Sequence, residues 1–235
     1  MMDALNKGLA FLCGKYSVPM GRIEGETATL PDGMTVRLLP HRVERRFVEL
    51  KNMIGQRTLE GVSTLRFARF AAGGDLRELL WRELDLAAFL TGSRIAALYA
   101  VCAGTAAANV IAHLDGEVSL SLECGVGLPA GREPVDRHEI IAARGVGCDQ
   151  AVDRQIPAAS IYLYNDAPTS YTDVDEELFG LGHDEIHRVR AAFAVLGDPA
   201  LGTVWNAAYD DARRCADAVF EADRETRVVQ FAREA

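Results

Sequence analysis

The middle of the sequence, from residue 94 to residue 164, contains strand-like runs that follow one another across short turns. Asp115-Gly116 is a turn typical of a β-hairpin, and Gly145–Gly147 marks another turn. Strands joined by so few residues pair antiparallel, because a parallel pair needs a crossover of about a dozen residues or more. This block is therefore predicted to form a mostly antiparallel sheet from the runs Ile95–Ala103, Ala107–Leu114, Glu117–Cys124, Glu139–Arg144 and Ala159–Tyr164.

Patterns on both sides of this block indicate helices and a hairpin. Apolar residues recur at helical spacing in several segments, and two β-prone runs between residues 27 and 38 flank the turn signal Pro31-Asp32-Gly33. We therefore predict an α+β fold, in which a mostly antiparallel open sheet has helices packed on one face and a short helix-hairpin segment precedes it. The predicted helices cover residues 3–16, 41–54, 75–90, 174–179, 184–196 and 206–222, and further strands cover residues 62–70 and 226–231.

The other face of the predicted sheet also contains small or apolar residues. They alternate with the apolar positions that are expected to face the helices. A semi-apolar face usually packs against something else, and a second copy of the chain is the simplest partner. We therefore expect a homodimer through this face, on which the small residues are Ala106, Ala108, Ala112 and Cys124.

Charge and cysteine content exclude several classes of protein. The net charge is −9, and the only short basic run lies around Arg42, Arg45 and Arg46, so nucleic acid and anionic membrane surfaces are not expected partners. No apolar run approaches the roughly 20 residues that cross a bilayer. The five cysteines form no Cys-x-x-Cys pair, which argues against a zinc ribbon. A reduced, cytoplasmic protein is expected.

Two stretches resemble motifs of the Gfo/Idh/MocA oxidoreductase family. The stretch Gly73–Gly92 (GGDLRELLWRELDLAAFLTG) resembles a helix that the family writes Gly-Gly-x-x-x-Asp-x-Gly-x-His-x-x-Asp, followed by an apolar run and a glycine. The stretch Asp136–Gly147 is similar to the family's strand that ends in Gly-x-Gly. With the flanking helices, the resemblance extends in order over residues 40–231. It implies an NAD(P)-dependent dehydrogenase of a sugar, inositol or other polyol, in which a Rossmann domain precedes an α/β domain that forms oligomers and walls the substrate site.

The resemblance divides the chain at residue 39. Residues 40–235 correspond to the family's C-terminal domain, and residues 1–39 are a possible remnant of the dinucleotide-binding domain. No Gly-x-Gly-x-x-Gly follows a strand near the start, and the glycines Gly125, Gly127 and Gly131 have a different spacing. We therefore expect that this chain alone binds no cofactor. NAD or NADP, implied by the resemblance, would come with a separate NAD(P)-binding chain.

The resemblance also points to the helix that would carry catalysis. Aligning the glycine pair and Asp85 places Glu78 at the family's Asp and Arg82 at its catalytic His. Arginine is always protonated and cannot accept a hydroxyl proton. Glu78 and Arg82 can alternatively form a surface ion pair at i,i+4 spacing, which we favour. The predicted substrate-binding residues are Arg46, Arg82, Asp85 and Tyr162.

A second helix contains two histidines at i,i+4 spacing. His183-Asp-Glu-Ile-His187 places both imidazoles on one helix face, a spacing used by metal-binding helices. No third ligand can be identified in the sequence, and Asp184 and Glu185 suit a helix N-terminus whatever the histidines do. We therefore expect no metal site.

Two functional hypotheses follow. The first is the C-terminal domain of an NAD(P)-dependent sugar or polyol oxidoreductase that is inactive alone. The second is a non-catalytic binding or scaffold protein that keeps the sheet for oligomerisation. The arginine at position 82 favours the second hypothesis, and the order of the motifs favours the first.

Overall fold

The computed structural model describes residues 4–149, 160–164, 169–172 and 180–232. Its helices are α1 (Ala4–Tyr16), α2 (Arg45–Gly55), α3 (Leu76–Thr91), α4 (His183–Gly197) and α5 (Ala200–Glu225), with a 3-10 turn at Pro40–Arg42. Its strands are β1 (Arg22–Glu24), β2 (Thr27–Thr29), β3 (Thr35–Arg37), β4 (Val62–Phe70), β5 (Ile95–Ala103), β6 (Ala107–Leu114), β7 (Ser119–Gly125), β8 (Val135–Ala142), β9 (Gly145–Cys148), β10 (Ser160–Tyr164), β11 (Thr169–Thr172) and β12 (Val229–Gln230). The predicted α+β class is confirmed, and the helix predicted at residues 174–179 lies outside the described residues.

The chain divides into two compact units. The first unit combines Met1–Phe47 with Asp173–Asp210, and the second combines Val48–Thr172 with Asp211–Ala235. Each unit is built from two separate parts of the sequence. The interpretation of residues 1–39 as a remnant of a dinucleotide-binding domain stays a prediction.

In the first unit, a three-stranded antiparallel sheet has the order β1-β2-β3. The hairpin predicted at Pro31-Asp32-Gly33 is confirmed: the Met34 N–H donates to Asp32 Oδ1 at 2.9 Å, and Gly33 adopts a φ of +89° that glycine tolerates. Strand β1, which the sequence analysis missed, is attached to α1 by the buried side chain of Asn6. Asn6 Nδ2 donates to the Ile23 carbonyl at 2.9 Å, and the Ile23 N–H donates to Asn6 Oδ1 at 2.8 Å.

In the second unit, a nine-stranded sheet has the order β11-β10-β9-β8-β4-β7-β6-β5-β12. All neighbouring strands pair antiparallel except β4 and β7, which are parallel and are connected through α3, β5 and β6. Several predicted boundaries were wrong: α5 begins at Ala200 rather than at residue 206, and β12 covers Val229–Gln230 rather than residues 226–231. Two further differences concern β8 and β9. Strand β8 begins at Val135 rather than at Glu139, and Gly145–Cys148 forms strand β9 where a turn was predicted. Both strands matter below because they position charged residues.

Helix α3 packs on β4, β6 and β7. It begins at the predicted cap Asp75, whose carboxylate accepts from the Arg77 N–H at 2.9 Å, and it ends at Gly92, which has a left-handed φ of 67°. The second part of α5 lies beside α3, with the Arg77 guanidinium over the Phe220 ring. Among the described helices, none combines the length and apolar character that a membrane-spanning helix needs.

The open face of the sheet is more polar than the sequence analysis assumed. Ala108, Ala112 and Cys124 are buried on the same face as Val110 and Leu122, so they do not form a second apolar face. Ala106 lies exposed in the turn before β6. The exposed positions of the same two strands are Asn109, Ile111, His113 and Glu123. The four small residues predicted for this face therefore do not support a dimer interface on it, and the homodimer stays a prediction.

Replacing Asn6 with alanine should destabilise the first unit. The substitution leaves the buried N–H and carbonyl of Ile23 without their side-chain partner, which costs about 2–3 kcal/mol. Urea denaturation of Asn6→Ala measures this loss. The exposed neighbour Lys7, replaced by alanine, is the control and should change the free energy of unfolding by less than about 0.5 kcal/mol. An equal effect of both substitutions would contradict the role given to Asn6.

Candidate functional site

Helix α3 carries a carboxylate into the interior of the second unit. Its apolar stripe of Leu76, Leu80, Leu84 and Ala87 is buried against the sheet, and Glu83 falls within the same stripe. The Glu83 side chain is completely buried. A buried carboxylate is costly unless it is paired and hydrogen-bonded, so its neighbours determine whether the helix can pack.

The direct partner of Glu83 is His138 of β8, which is also completely buried. His138 Nε2 lies 2.8 Å from Glu83 Oε2, and His138 Nδ1 lies 2.5 Å from Asp149 Oδ2. The Asp149 carboxylate also accepts from the His138 backbone N–H at 2.7 Å. The imidazole therefore bridges two carboxylates, one from α3 and one from the residue that follows β9.

Two arginines and a third carboxylate surround this bridge. Arg82 forms an ion pair with Glu83, and Arg69 Nε lies 3.8 Å from the same carboxylate. Arg69 also pairs with Asp136 at 2.9 Å, since the two residues are opposite each other on β4 and β8. Arg82, Arg69 and Asp136 are 16%, 24% and 26% exposed, so they form a partly exposed rim over the buried pair.

The pKa values follow from these contacts. Burial alone would lower the pKa of His138, but the charges and hydrogen bonds of Asp149 and Glu83 outweigh burial and raise it to about 9. Burial alone would raise the pKa of Glu83, but Arg82, His138 and Arg69 hold it at about 2. The cluster brings together three acidic and three basic side chains, so its formal charges balance.

This geometry limits the chemistry of the site. His138 cannot act as a proton acceptor near neutral pH, because it is protonated, buried and bonded at both nitrogens. The rim, in contrast, can contact a ligand: the guanidinium groups of Arg82 and Arg69 can donate to hydroxyl or carboxylate oxygens, and Asp136 can accept from a hydroxyl. The arrangement suits binding of a hydroxylated or anionic molecule.

Several solved structures share this architecture. A levoglucosan dehydrogenase in complex with NADH and L-sorbose superposes with a TM-score of 0.66 at 13% identity, covering 85% of this chain and 66% of its own. The myo-inositol 2-dehydrogenase of Lactobacillus plantarum gives a TM-score of 0.61 at 12% identity, with 83% and 64% covered. The transcriptional regulator Gal80p of Kluyveromyces lactis gives 0.63 at 14% identity, with 82% and 61% covered.

The chain shares the fold of these proteins. The fold that the resemblance to the Gfo/Idh/MocA family implied is therefore confirmed. The chain spans 61–66% of the length of these three relatives. In comparisons by sequence, no family model and no curated protein matches it.

Within this oxidoreductase-type fold, the residues predicted for the site are distributed over both units. Arg82 lies in the charged cluster, Asp85 is buried one turn further along α3, and Glu78 is exposed, accepting from the Trp81 indole N–H at 2.7 Å. Arg46 lies in the first unit, where it pairs with Glu44. The backbone of Tyr162 in β10 pairs with Cys148 and Ser170. Catalytic and substrate-binding roles for these residues stay predictions.

Sequence reasoning missed the residues at the centre of the cluster. Glu83 interrupts the apolar stripe of α3, and a charged residue in such a stripe is a signal that can be read from sequence. Asp136 and His138 alternate with Ile140 on one face of β8, but the predicted strand began after them. Asp149 follows a different strand, β9, and nothing in the sequence links it to Glu83 or His138.

Gly125 and Gly127 do not form the turn of a dinucleotide-binding motif. Gly125 is the last residue of β7, and a Cβ placed there would lie 2.6 Å from the Phe70 ring, so the glycine serves close packing. Gly127 forms an isolated bridge with Ala72 instead of opening a helix. A phosphate-binding turn needs a strand, a glycine turn and a helix N-terminus in succession, and this segment lacks that succession.

Removing the imidazole should strongly destabilise the second unit. In His138→Gln, the carboxylates of Glu83 and Asp149 lose the cation between them, and breaking a buried charge pair costs about 3–5 kcal/mol. Urea denaturation measures the loss. The matched control is His113→Gln, an exposed histidine of β6, which should change the free energy of unfolding by less than about 0.5 kcal/mol.

The contribution of His138 should also depend on pH in a defined direction. Its folded pKa of about 9 is above its ordinary value of 6.5, so the stabilisation is complete below pH 6.5 and is lost as the pH rises through 9. Over that interval the difference in unfolding free energy between wild type and His138→Gln should shrink by about 3 kcal/mol. An NMR titration of the wild-type imidazole gives the same pKa directly. A pKa near 6.5 would contradict the placement of His138 between the carboxylates of Glu83 and Asp149.

Proposed function

We propose that this chain is the substrate-side domain of an NAD(P)-dependent oxidoreductase that acts on a sugar, inositol or other polyol. The observation that carries the proposal is the partly exposed rim of Arg82, Arg69 and Asp136 on a fold shared with oxidoreductases. A separately encoded chain would supply NAD or NADP. The solved relatives named as dehydrogenases of levoglucosan and myo-inositol support the substrate class.

In this proposal the rim positions the substrate. Arg82 and Arg69 donate hydrogen bonds to substrate oxygens, and Asp136 accepts one from a hydroxyl. Ion pairing with Glu83 and Asp136 fixes the two guanidinium groups before the ligand arrives, which reduces the entropy lost on binding. Asp85, Tyr162 and Arg46 are the further proposed contacts, and Glu78 takes the position of the family's Asp.

The second candidate function is ligand binding without catalysis. Arg82 occupies the position of the family's catalytic His, and its guanidinium pairs with Glu83 and cannot take a proton. A transcriptional regulator, Gal80p, has the same fold, which supports a regulatory or scaffold role on this architecture. For either function we propose a cytoplasmic homodimer through the open sheet face, where Val101 and Ile111 are exposed apolar residues.

A cofactor-binding measurement distinguishes the proposed substrate-side domain from a complete dehydrogenase. Titration of the purified chain with NADH and NADPH, followed by cofactor fluorescence, should give no saturation. Mixing the chain with NAD⁺ and myo-inositol should form no NADH, and Arg82→His should not change that result, because a histidine alone supplies no hydride acceptor site. Saturable binding at about micromolar concentration, or NADH formed by Arg82→His, would contradict the proposal that a separate cofactor domain is needed.

Ligand binding tests the rim. We expect calorimetric titration with myo-inositol, D-glucose and D-gluconate to detect saturable binding of at least one of them. Arg82→Gln should weaken that binding at least about tenfold, since a charged hydrogen bond contributes about 1.5–3 kcal/mol. Arg66→Gln is the matched control, because Arg66 lies on the opposite face of β4 and is 53% exposed. If Arg82→Gln and Arg66→Gln bind the ligand with equal affinity, Arg82 is not part of the binding site.

A further inference from the structure

The first unit contains a second cluster of titratable residues, formed by Glu44, His183 and His187. Glu44 lies between the 3-10 turn and α2, and the histidines lie in the first two turns of α4. Helix α4 is capped by Gly182, whose N–H donates to Glu185 Oε2 at 2.9 Å. This start places both imidazoles on one face, with their ring centroids 4.5 Å apart, and α4 packs against the 3-10 turn.

The hydrogen bonds of His187 define its protonation. His187 is almost completely buried, and its Nδ1 lies 2.8 Å from the carbonyl oxygen of His183, which can only accept. Its Nε2 lies 3.3 Å from the guanidinium of Arg190, which can only donate. The ring is therefore neutral, with its proton on Nδ1 and a lone pair on Nε2. Metal-binding histidines are commonly oriented in this way, by an N–H that donates to a backbone carbonyl.

The distances among the three residues suit a small cation. One ligand atom from each residue lies within 4.8 Å of the other two. His183 Nε2 and Glu44 Oε1 are 3.4 Å apart. Adjacent ligands of a tetrahedral zinc ion are also separated by about 3.3 Å, given metal–ligand distances of about 2.0–2.2 Å. This pair therefore has the spacing that a zinc ion requires.

We propose that Glu44, His183 and His187 bind a divalent transition-metal ion of the zinc type. Two imidazoles and one carboxylate are a ligand set that zinc favours, and three protein ligands leave a position for water or a small ligand. The His183 side chain is 37% exposed, which gives the ion a route from solvent. Binding exchanges the Arg190 hydrogen bond on Nε2 and the Arg46 contact on Oε1 for coordination bonds.

The site does not depend on the oxidoreductase proposal, because its residues all belong to the first unit. The two histidines were recognised in the sequence, but no third ligand was identifiable there. Folding supplies Glu44 from a distant part of the chain. The sequence alone led us to expect no metal site. The buried carboxylate of Glu44 beside two imidazoles is the observation that leads us to propose one.

The test uses the full chain, treated with a chelator and dialysed. Calorimetric titration with Zn²⁺ should show saturable binding to one site, and Co²⁺ should give the visible absorption of a tetrahedral complex. His183→Gln is the main variant, because a half-exposed side chain can be replaced without unfolding the unit. It should weaken Zn²⁺ binding at least about tenfold, the smallest effect usually seen when even an outer-shell partner is lost.

Two further variants make the result decisive. Glu44→Gln keeps the shape of the side chain but removes the charged ligand, so it should weaken Zn²⁺ binding as His183→Gln does. His113→Gln removes an exposed histidine of the second unit and should leave binding unchanged. Absence of Zn²⁺ binding to the wild-type chain, or unchanged affinity of His183→Gln, would overturn the proposal.

Discussion

The second unit depends on one buried interaction, the His138 imidazole held between Glu83 and Asp149. These residues belong to α3, to β8 and to the residue after β9, so one ring connects the helix layer to two neighbouring strands. The connection is directional, because each imidazole nitrogen must meet its own carboxylate. Hydrophobic packing alone would allow α3 to shift along the sheet, whereas a misplaced Glu83 would leave a charge buried without its partner.

The same interaction explains why an arginine suits position 82. Glu83, Asp149 and Asp136 carry three negative charges, and His138 supplies only one of the positive charges that balance them. Arg69 and Arg82 supply the other two. A neutral histidine at position 82 would leave the cluster one positive charge short. The arginine at position 82 therefore stabilises the buried carboxylate beside it.

The sequence predicted the elements better than the site. Hairpin turns, helix caps and alternating apolar residues are local signals, and they located α1, β4, α3, β5 and β6 to within a residue or two. The parallel pairing of β4 with β7 was not predicted, because it depends on a connection through three other elements. For the same reason Asp149 and Glu44 were missed: each becomes a partner only after distant segments have folded together.

The two histidine clusters show how neighbours assign different roles to the same side chain. His138 meets an acceptor at both nitrogens, so it must carry two protons and serves as a buried cation. His187 meets an acceptor at Nδ1 and a donor at Nε2, so it carries one proton and keeps a lone pair. A protonated imidazole cannot coordinate a metal, whereas a neutral one can. Glu83, Asp136 and His138 also lie close enough together to hold an ion, but His138 has no free lone pair there. Of the two such clusters among the described residues, the one around Glu44 is therefore the one to which we assign the proposed metal.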